Sequence, residues 1–161
     1  MSTAPVPAKA AIEFGGVTPV LRVRDVSASL DYYVRALGFK MNFKFPNSEE
    51  PFFASVSRGQ CCLFLSAGDQ GNPGSWVWID GKDVEALYEE YRRSGAKIRN
   101  PPTNYSWALE MQVEDPDGNV LRIGSGNKPD QPTGSWLDMN GDRWVATASG
   151  GFVRAESEEH G

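Results

Sequence analysis

The chain has 161 residues, of which 40% are hydrophobic and 23% are charged, and its formal net charge is −5. This composition is typical of a globular domain, and no apolar run approaches the roughly 20 residues that span a bilayer. The acidic balance disfavours nucleic acid as a partner, and the Ala- and Pro-rich N-terminus lacks the apolar core of a secretory signal. We therefore expect a cytoplasmic protein that binds neither membranes nor nucleic acids.

Histidine and cysteine usage narrows the possible chemistry. The single histidine, His160, stands next to the last residue, and chain ends make poor catalytic platforms. Histidine-based acid–base catalysis and histidine-ligated metal sites are therefore not expected, although a metal site built from carboxylates alone stays open. Cys61 and Cys62 are adjacent, so in a strand they would point to opposite faces. We interpret them as packing residues in a reducing compartment.

A first module is predicted over residues 15–67. Its opening strand, residues 17–24, contains Pro19, which cannot donate to a strand ladder and therefore favours a sheet edge. Asp25 is the predicted cap of a helix that ends at Gly38. Three further strands are predicted at residues 39–45, 52–57 and 60–66.

A second module is predicted over residues 74–125 and repeats this order. A strand at Trp76–Ile79 leads to a helix capped by Asp83 and ended by Gly95. Further strands are predicted at residues 97–99, 106–113 and 119–123, with a tight turn at Asp115–Gly118 before the last.

The spacing of equivalent residues supports an internal repeat. The helix caps Asp25 and Asp83 are 58 residues apart, and the helix-ending Gly38 and Gly95 are 57 apart. Each unit is too small to bury its own open sheet. We therefore predict an α+β fold in which two βαβββ modules in tandem form a curved mixed sheet.

The remaining segments flank this domain. Residues 1–14 are predicted to be a flexible arm, and residues 126–154 a C-terminal extension. Asn140-Gly141 lies between two strand-like runs and predicts a hairpin, whose Trp136 and Trp144 are expected to cover the body or, alternatively, to roof a cleft. Residues 155–161 are acidic and are predicted to be a disordered tail.

Trp76 and Trp78 are the most informative pair in the second module. They alternate with Val77 and Ile79, so both indoles lie on one strand face and both aliphatic side chains on the other. A helix behind the sheet would cover the aliphatic face. The tryptophans then line either a second core or a ligand cleft.

The opening strand and helix, and the turn at Glu114–Asn119, resemble the vicinal-oxygen-chelate superfamily of glyoxalases, bleomycin-resistance proteins and dioxygenases. The opening reads Thr18–Asp25, and its helix ends Leu37-Gly38-Phe39. Leu63–Ser66, Trp76–Trp78 and Trp107-Ala108 are similar to segments of the bleomycin-resistance proteins. The likeness covers residues 17–125.

Metal-dependent members of that superfamily use four side chains, which by resemblance fall on Thr18, Phe64, Ser75 or Trp76, and Arg122. Among them only Thr18 or Ser75 could be a ligand, and a weak one, while Arg122 is expected to pair with a carboxylate instead. No metal or cofactor is therefore expected. The alternative is a glyoxalase-like lyase or dioxygenase-type enzyme of the same superfamily with an atypical site.

The resemblance implies a homodimer that sequesters a bulky, planar, cationic antibiotic of the bleomycin type, without metal and without catalysis. The drug would lie in a cleft between subunits, and the first strand would exchange across the dimer about Pro19. A flat heteroaromatic group stacks well on aromatic rings. The implied ligand-binding residues are Phe43, Ser66, Trp76, Trp78, Trp107 and Glu110, with Phe45, Phe52 and Phe53 as an opposing wall.

Some of these residues have equally simple structural interpretations. Phe43 would serve the core alone, Trp78 is favoured as a structural residue, and Glu110 would be a solvated strand residue. Trp76 and Trp107 favour ligand contact.

Overall fold

The computed structural model describes residues 3–6, 10–137, 142–149 and 152–155. The first module contains β1 (Val20–Arg22), α1 (Val26–Asp31) continued by a π-helical turn (Tyr32–Ala36), β2 (Lys40–Phe45), β3 (Phe53–Arg58) and β4 (Cys61–Ser66). The second contains β5 (Trp76–Asp80), α2 (Val84–Ser94), β6 (Lys97–Asn104), β7 (Leu109–Glu114) and β8 (Val120–Ser125). The extension contributes β9 (Ser135–Leu137), β10 (Arg143–Ala146) and β11 (Phe152–Arg154).

The strands form two mixed sheets. The first has the order β1-β4-β3-β2, and the second has the order β11-β10-β9-β6-β7-β8-β5. In each module the first strand pairs parallel with the fourth, and the other strands pair antiparallel. This shared topology confirms the α+β fold of two βαβββ modules, and it places Pro19 next to an edge strand, as predicted. The curved surface is divided into one sheet per module.

Both helices begin and end at the predicted residues. The Asp25 carboxylate accepts a hydrogen bond from the Ala28 amide at 3.1 Å, and Asp83 does the same for Ala86 at 3.0 Å. Gly38 and Gly95 follow the helices with φ of 72° and 80°, a left-handed conformation that glycine adopts without strain. No helix in the described ranges has the length and apolar character needed to cross a membrane.

One hydrophobic core joins the two modules. Its fully buried side chains come from both helices and both sheets and include Leu21, Tyr33, Leu65, Tyr91, Met111 and Leu121. The helices meet where the Tyr91 hydroxyl donates to the Leu37 carbonyl oxygen at 2.9 Å. Burying apolar surface from both modules in one core makes each unit depend on the other.

Three strand boundaries differ from the sequence prediction. β1 is shorter than residues 17–24, and β7 begins at Leu109 rather than at 106. β6 runs through Pro101 and Pro102 to Asn104, whereas the prediction ended it at Arg99. The pairing of β6 with β7 shifts register between Ile98 and Thr103. Prolines are tolerated in strands at such bulges, and the sequence alone does not show where the bulges lie.

The extension continues the second sheet. β9 pairs antiparallel with β10, as the hairpin motif predicts, although Asn140-Gly141 itself lies outside the described residues. Trp136 is buried and packs edge-on against Tyr88 of α2, with ring centroids 5.3 Å apart. The extension therefore covers the helix side of the second module at this point. β11 was not predicted, and residues 156–161, with most of the predicted disordered tail, lie outside the described part.

The two helix-ending glycines provide a matched pair for a stability test. Gly95→Ala introduces only the strain of a left-handed alanine, about 1–2 kcal/mol, because nothing lies within 4 Å of the added Cβ. Gly38→Ala would also push away the Arg58 guanidinium, which donates to the Leu37 carbonyl oxygen and pairs with Glu90. We expect Gly38→Ala to lower the free energy of unfolding in urea by at least about 1 kcal/mol more than Gly95→Ala. Equal losses of stability in the two variants would show that the contacts of Arg58 contribute little to the stability of the fold.

Candidate functional site

The first sheet carries a cluster of phenylalanines. Phe53 lies 6.2 Å from Phe43 and 5.1 Å from Phe64 between ring centroids, and Phe45 and Phe52 form an edge-to-face pair at 5.4 Å. Phe43 is 49% exposed, so it is not a core residue within the single chain. These five side chains are called the phenylalanine face below.

Ser66 ends β4 and has a local role in the chain. It is buried, and its hydroxyl accepts a hydrogen bond from the Gly68 amide at 3.3 Å. Its assignment as a ligand-binding residue stays a prediction. Cys61 and Cys62 are both partly buried and free, and burial raises the pKa of the Cys61 thiol. A raised pKa makes the thiolate scarce, in agreement with a packing role.

The second sheet carries a different surface, made of Trp76, Trp78, Trp107, Glu110 and Arg122 and called the tryptophan face below. Trp76 and Trp78 are 51% and 43% exposed, while Val77 and Ile79 pack against the core. The predicted alternation along β5 is therefore present. The tryptophans do not line a second core in the chain, which leaves them available as one wall of a cleft.

A buried ion pair lies at the centre of the tryptophan face. Glu110 on β7 is 1% exposed, and its carboxylate accepts hydrogen bonds from Arg122 Nε at 3.0 Å and Nη2 at 2.7 Å. Gln112 and Trp107 donate to the same carboxylate. Burial would raise the pKa of Glu110, but these hydrogen bonds outweigh it and hold the pKa below its usual value. Glu110 is thus a fixed anion rather than a solvated strand residue.

Two guanidinium groups lie over the two β5 tryptophans. Arg122 is 5.2 Å from the Trp78 ring centroid, and Arg99 is 5.0 Å from that of Trp76. Trp78 is further fixed because its indole N–H donates to Asp80 at 2.8 Å and its ring lies against Gly124, where an added Cβ would overlap it. Trp78 is therefore held in place by its neighbours, and its assignment as a ligand-binding residue stays a prediction.

Trp107 is the most exposed tryptophan of this face, at 62%. Its ring stacks on Tyr105 with centroids 4.6 Å apart and planes within 5°, and its indole N–H donates to Glu110 at 3.2 Å. One ring face is thus supported by Tyr105. A planar ligand would find a flat, positioned aromatic surface here.

The structure brings Trp76, Trp78, Trp107 and Glu110 onto one sheet and leaves Phe43 and Ser66 on the other. No ring contact joins the two faces within the described ranges. Sequence reasoning missed Arg99 and Tyr105. Polar residues alternate along β7, and this pattern indicates that a polar partner lies on the neighbouring strand. Arg99 is that partner, because Gln112 and Glu114 both accept its hydrogen bonds.

The positions that correspond to metal ligands do not fit a divalent metal. Phe64 lies among phenylalanines, and Arg122 is a cation already bound to Glu110. The parallel register sets Val20 beside Phe64 and Trp78 beside Arg122, and neither Val20 nor Trp78 has a side-chain oxygen. No group of three or more His, Cys, Asp or Glu side chains is arranged to hold a metal in the described part of the chain.

The family model described as the Glyoxalase/Bleomycin resistance protein/Dioxygenase superfamily matches residues 16–123, more than half of the chain. The chain belongs to this superfamily. The match confirms the family inferred from the opening helix and the Asp-Pro turn, and it leaves the extension outside. No curated protein matches the chain in sequence.

Several solved structures resemble this chain. The bleomycin-binding protein from bleomycin-producing Streptomyces verticillus, complexed with copper(II)-bleomycin, is 29% identical with a TM-score of 0.60, covering 72% of this chain and 99% of that one. TnmS3, an antibiotic binding protein from Streptomyces sp. CB03234, is 22% identical with a TM-score of 0.61 and the same coverage. TioX from Micromonospora sp. ML1 is 19% identical with a TM-score of 0.61, covering 69% and 98%. The last two similarities show the fold alone.

The Glu110–Arg122 pair predicts a pH-dependent loss of stability. Arg122→Met leaves Glu110 buried without its main partner, which should lower the free energy of unfolding near neutral pH by about 2 kcal/mol. In the wild type, the low pKa stabilises the fold above the usual glutamate value of 4.5 and the effect is lost below it. In the variant the pKa rises, so the deficit should shrink as the pH falls through the glutamate titration.

Urea denaturation at neutral pH and near pH 4, at about the usual carboxylate pKa, measures this difference. Arg92→Met is the matched control, because Arg92 on α2 likewise pairs with a glutamate, Glu89 at 3.1 Å, and lies over an aromatic ring, Tyr88 at 5.6 Å, but its own side chain is 55% exposed. This substitution should lower the free energy of unfolding by at most about 0.5 kcal/mol. A deficit in Arg122→Met that is independent of pH would show that Glu110 is not held ionised by Arg122.

Proposed function

We propose that this protein binds and sequesters a bulky, planar antibiotic of the bleomycin type, without metal and without catalysis. The observation that carries the proposal is the pair of half-exposed aromatic surfaces, one on each sheet. Clusters of exposed aromatic side chains on one chain mark a ligand or protein interface. The similarity to a bleomycin-binding protein at 29% identity supports an antibiotic as the ligand.

Stacking rather than charge supplies most of the expected affinity. Trp107 presents a free ring face backed by Tyr105, and Phe43 presents a second ring. Each stack contributes about 1 kcal/mol beyond the buried area. The net charge of −5 would favour a cationic drug at long range, whereas Glu110 and Glu114 are already paired with arginines.

The proposal includes a homodimer. The phenylalanine and tryptophan faces lie on two separate sheets and make no ring contact with each other in the described chain. A second copy would set the phenylalanine face of one chain against the tryptophan face of the other. The exchange of β1 about Pro19 belongs to the same proposal; in the single chain β1 pairs with β4.

A metal-dependent lyase or dioxygenase is the competing function. It would need donor atoms where Phe64 and Arg122 stand. The side chains present therefore fit ligand binding better than metal-dependent catalysis. The metal content of the purified protein tests this directly. Stoichiometric metal, together with a melting temperature lowered by EDTA, would favour the enzyme.

Titration with bleomycin, metal-free and copper-loaded, tests the binding function through tryptophan fluorescence. We expect saturable quenching at one drug per subunit. Trp107→Ala and Phe43→Ala should each weaken binding about tenfold, the equivalent of about 1.4 kcal/mol. Trp144→Phe is the control, because Trp144 stacks on Trp136 in the extension. A flat titration, or equal weakening in the control, would contradict the proposed ligand or its site.

Sedimentation equilibrium tests the proposed dimer. A mass of twice 17.7 kDa is expected for the free and the drug-bound protein, because an aromatic cleft between chains needs both copies. Phe43→Ala should weaken drug binding more than dimer formation. A monomer that binds the drug at full affinity would contradict the shared cleft.

A further inference from the structure

Arg122 has hydrogen-bonding capacity that the chain does not use. A guanidinium group carries N–H donors on each of its nitrogens, and Arg122 directs Nε and Nη2 at Glu110. Nη1 donates no hydrogen bond within the described part of the chain, and the side chain is 35% exposed. The Glu110 carboxylate and the Trp78 ring hold the group in place. It is therefore a positioned donor at the surface of the tryptophan face.

The surrounding charges favour an electron-rich partner for that donor. Lys97 and Arg99 both pair with one carboxylate, Glu114, at 2.5 and 3.1 Å. Lys97 and Arg99 therefore exceed Glu114 in charge beside Trp76, while the Asp80 carboxylate next to Trp78 already accepts a hydrogen bond from the indole N–H. The two β5 tryptophans already have guanidinium groups over their rings. A ligand cation placed here would meet like charges and occupied ring faces, which is unfavourable.

We propose that Arg122 is a specificity residue, which binds an acceptor oxygen, a carboxylate or a carbonyl, on the planar part of the ligand. The ring of the ligand stacks on Trp107 while the oxygen accepts from Arg122 Nη1. Trp107 and Arg122 both contact Glu110, so stacking surface and donor are held by one carboxylate. A cationic group is rejected at this position and lies elsewhere on the ligand. The inference rests on the proposed binding function and narrows its ligand class.

Matched planar probes test this assignment by isothermal titration calorimetry. The probes are anthracenes that carry a carboxylate, a carboxamide or an aminomethyl group at the same carbon of the central ring. The carboxylate should bind tightest and the protonated amine weakest, with a difference of about tenfold or more. Arg122→Met should remove this ranking, whereas Arg92→Met should keep it.

Glu110→Gln separates specificity from a purely structural role. It leaves Arg122 with uncompensated charge, so the preference for the carboxylate probe over the amine should widen, while the weaker hold on Trp107 and Arg122 lowers the affinity for all three probes. If Arg122 only supported the fold, the same change would weaken all three probes alike. Circular dichroism and urea denaturation show which variants are folded under the conditions of the titration.

Three results would overturn the assignment: equal or tighter binding of the amine, a ranking that survives Arg122→Met, or no binding of the carboxylate probe. Bleomycin binding by the wild type with any of these results would leave the proposed function intact and remove only the role of Arg122. The expected ranking without bleomycin binding would keep the role of Arg122 and replace the drug.

Discussion

The buried carboxylate of Asp115 is the contact on which the relative placement of the modules depends. It accepts hydrogen bonds from the Tyr33 hydroxyl at 3.0 Å and from the Asn119 side chain at 2.8 Å. Asn119 in turn donates to the Arg22 carbonyl oxygen and accepts from the Ser75 amide. Burial raises the pKa of Asp115 against these hydrogen bonds. One turn thereby joins β1, α1 and β5 to the start of β8, and sets the position of the tryptophan face.

The tryptophan face carries fixed ions and rings at positions where the superfamily resemblance implies metal ligands. An arginine stands where a metal ligand is implied, and its partner is the buried Glu110. The pair leaves no donor set for a divalent cation, yet it makes the surface rigid, because Trp78 and Trp107 are both held through it. Pre-organised side chains bind a ligand with less loss of entropy. The sequestration proposed above would depend on this property.

Local rules predicted much of this fold from sequence. A helix cap or an alternating strand depends only on residues that are close in sequence. The caps at Asp25 and Asp83 and the alternation at Trp76 can therefore be predicted from a single sequence. Partners across strands depend on register. Arg99 lies over Trp76 at a point where the pairing of β6 with β7 shifts register, between Ile98 and Asn100, and no short motif shows this. For the same reason, the sequence predicts that Arg122 pairs with a carboxylate, but it does not show that this carboxylate is Glu110.

The division of the five tryptophans has a spectroscopic consequence. Three belong to the tryptophan face, while Trp136 and Trp144 stack in the extension with centroids 5.8 Å apart and planes within 16°. Two near-parallel indoles at this separation couple their electronic transitions, so they should give the near-ultraviolet circular dichroism spectrum a signal of its own. That signal reports the packing of the extension. The protein thus carries an internal optical reference that is separate from the chromophores of the tryptophan face.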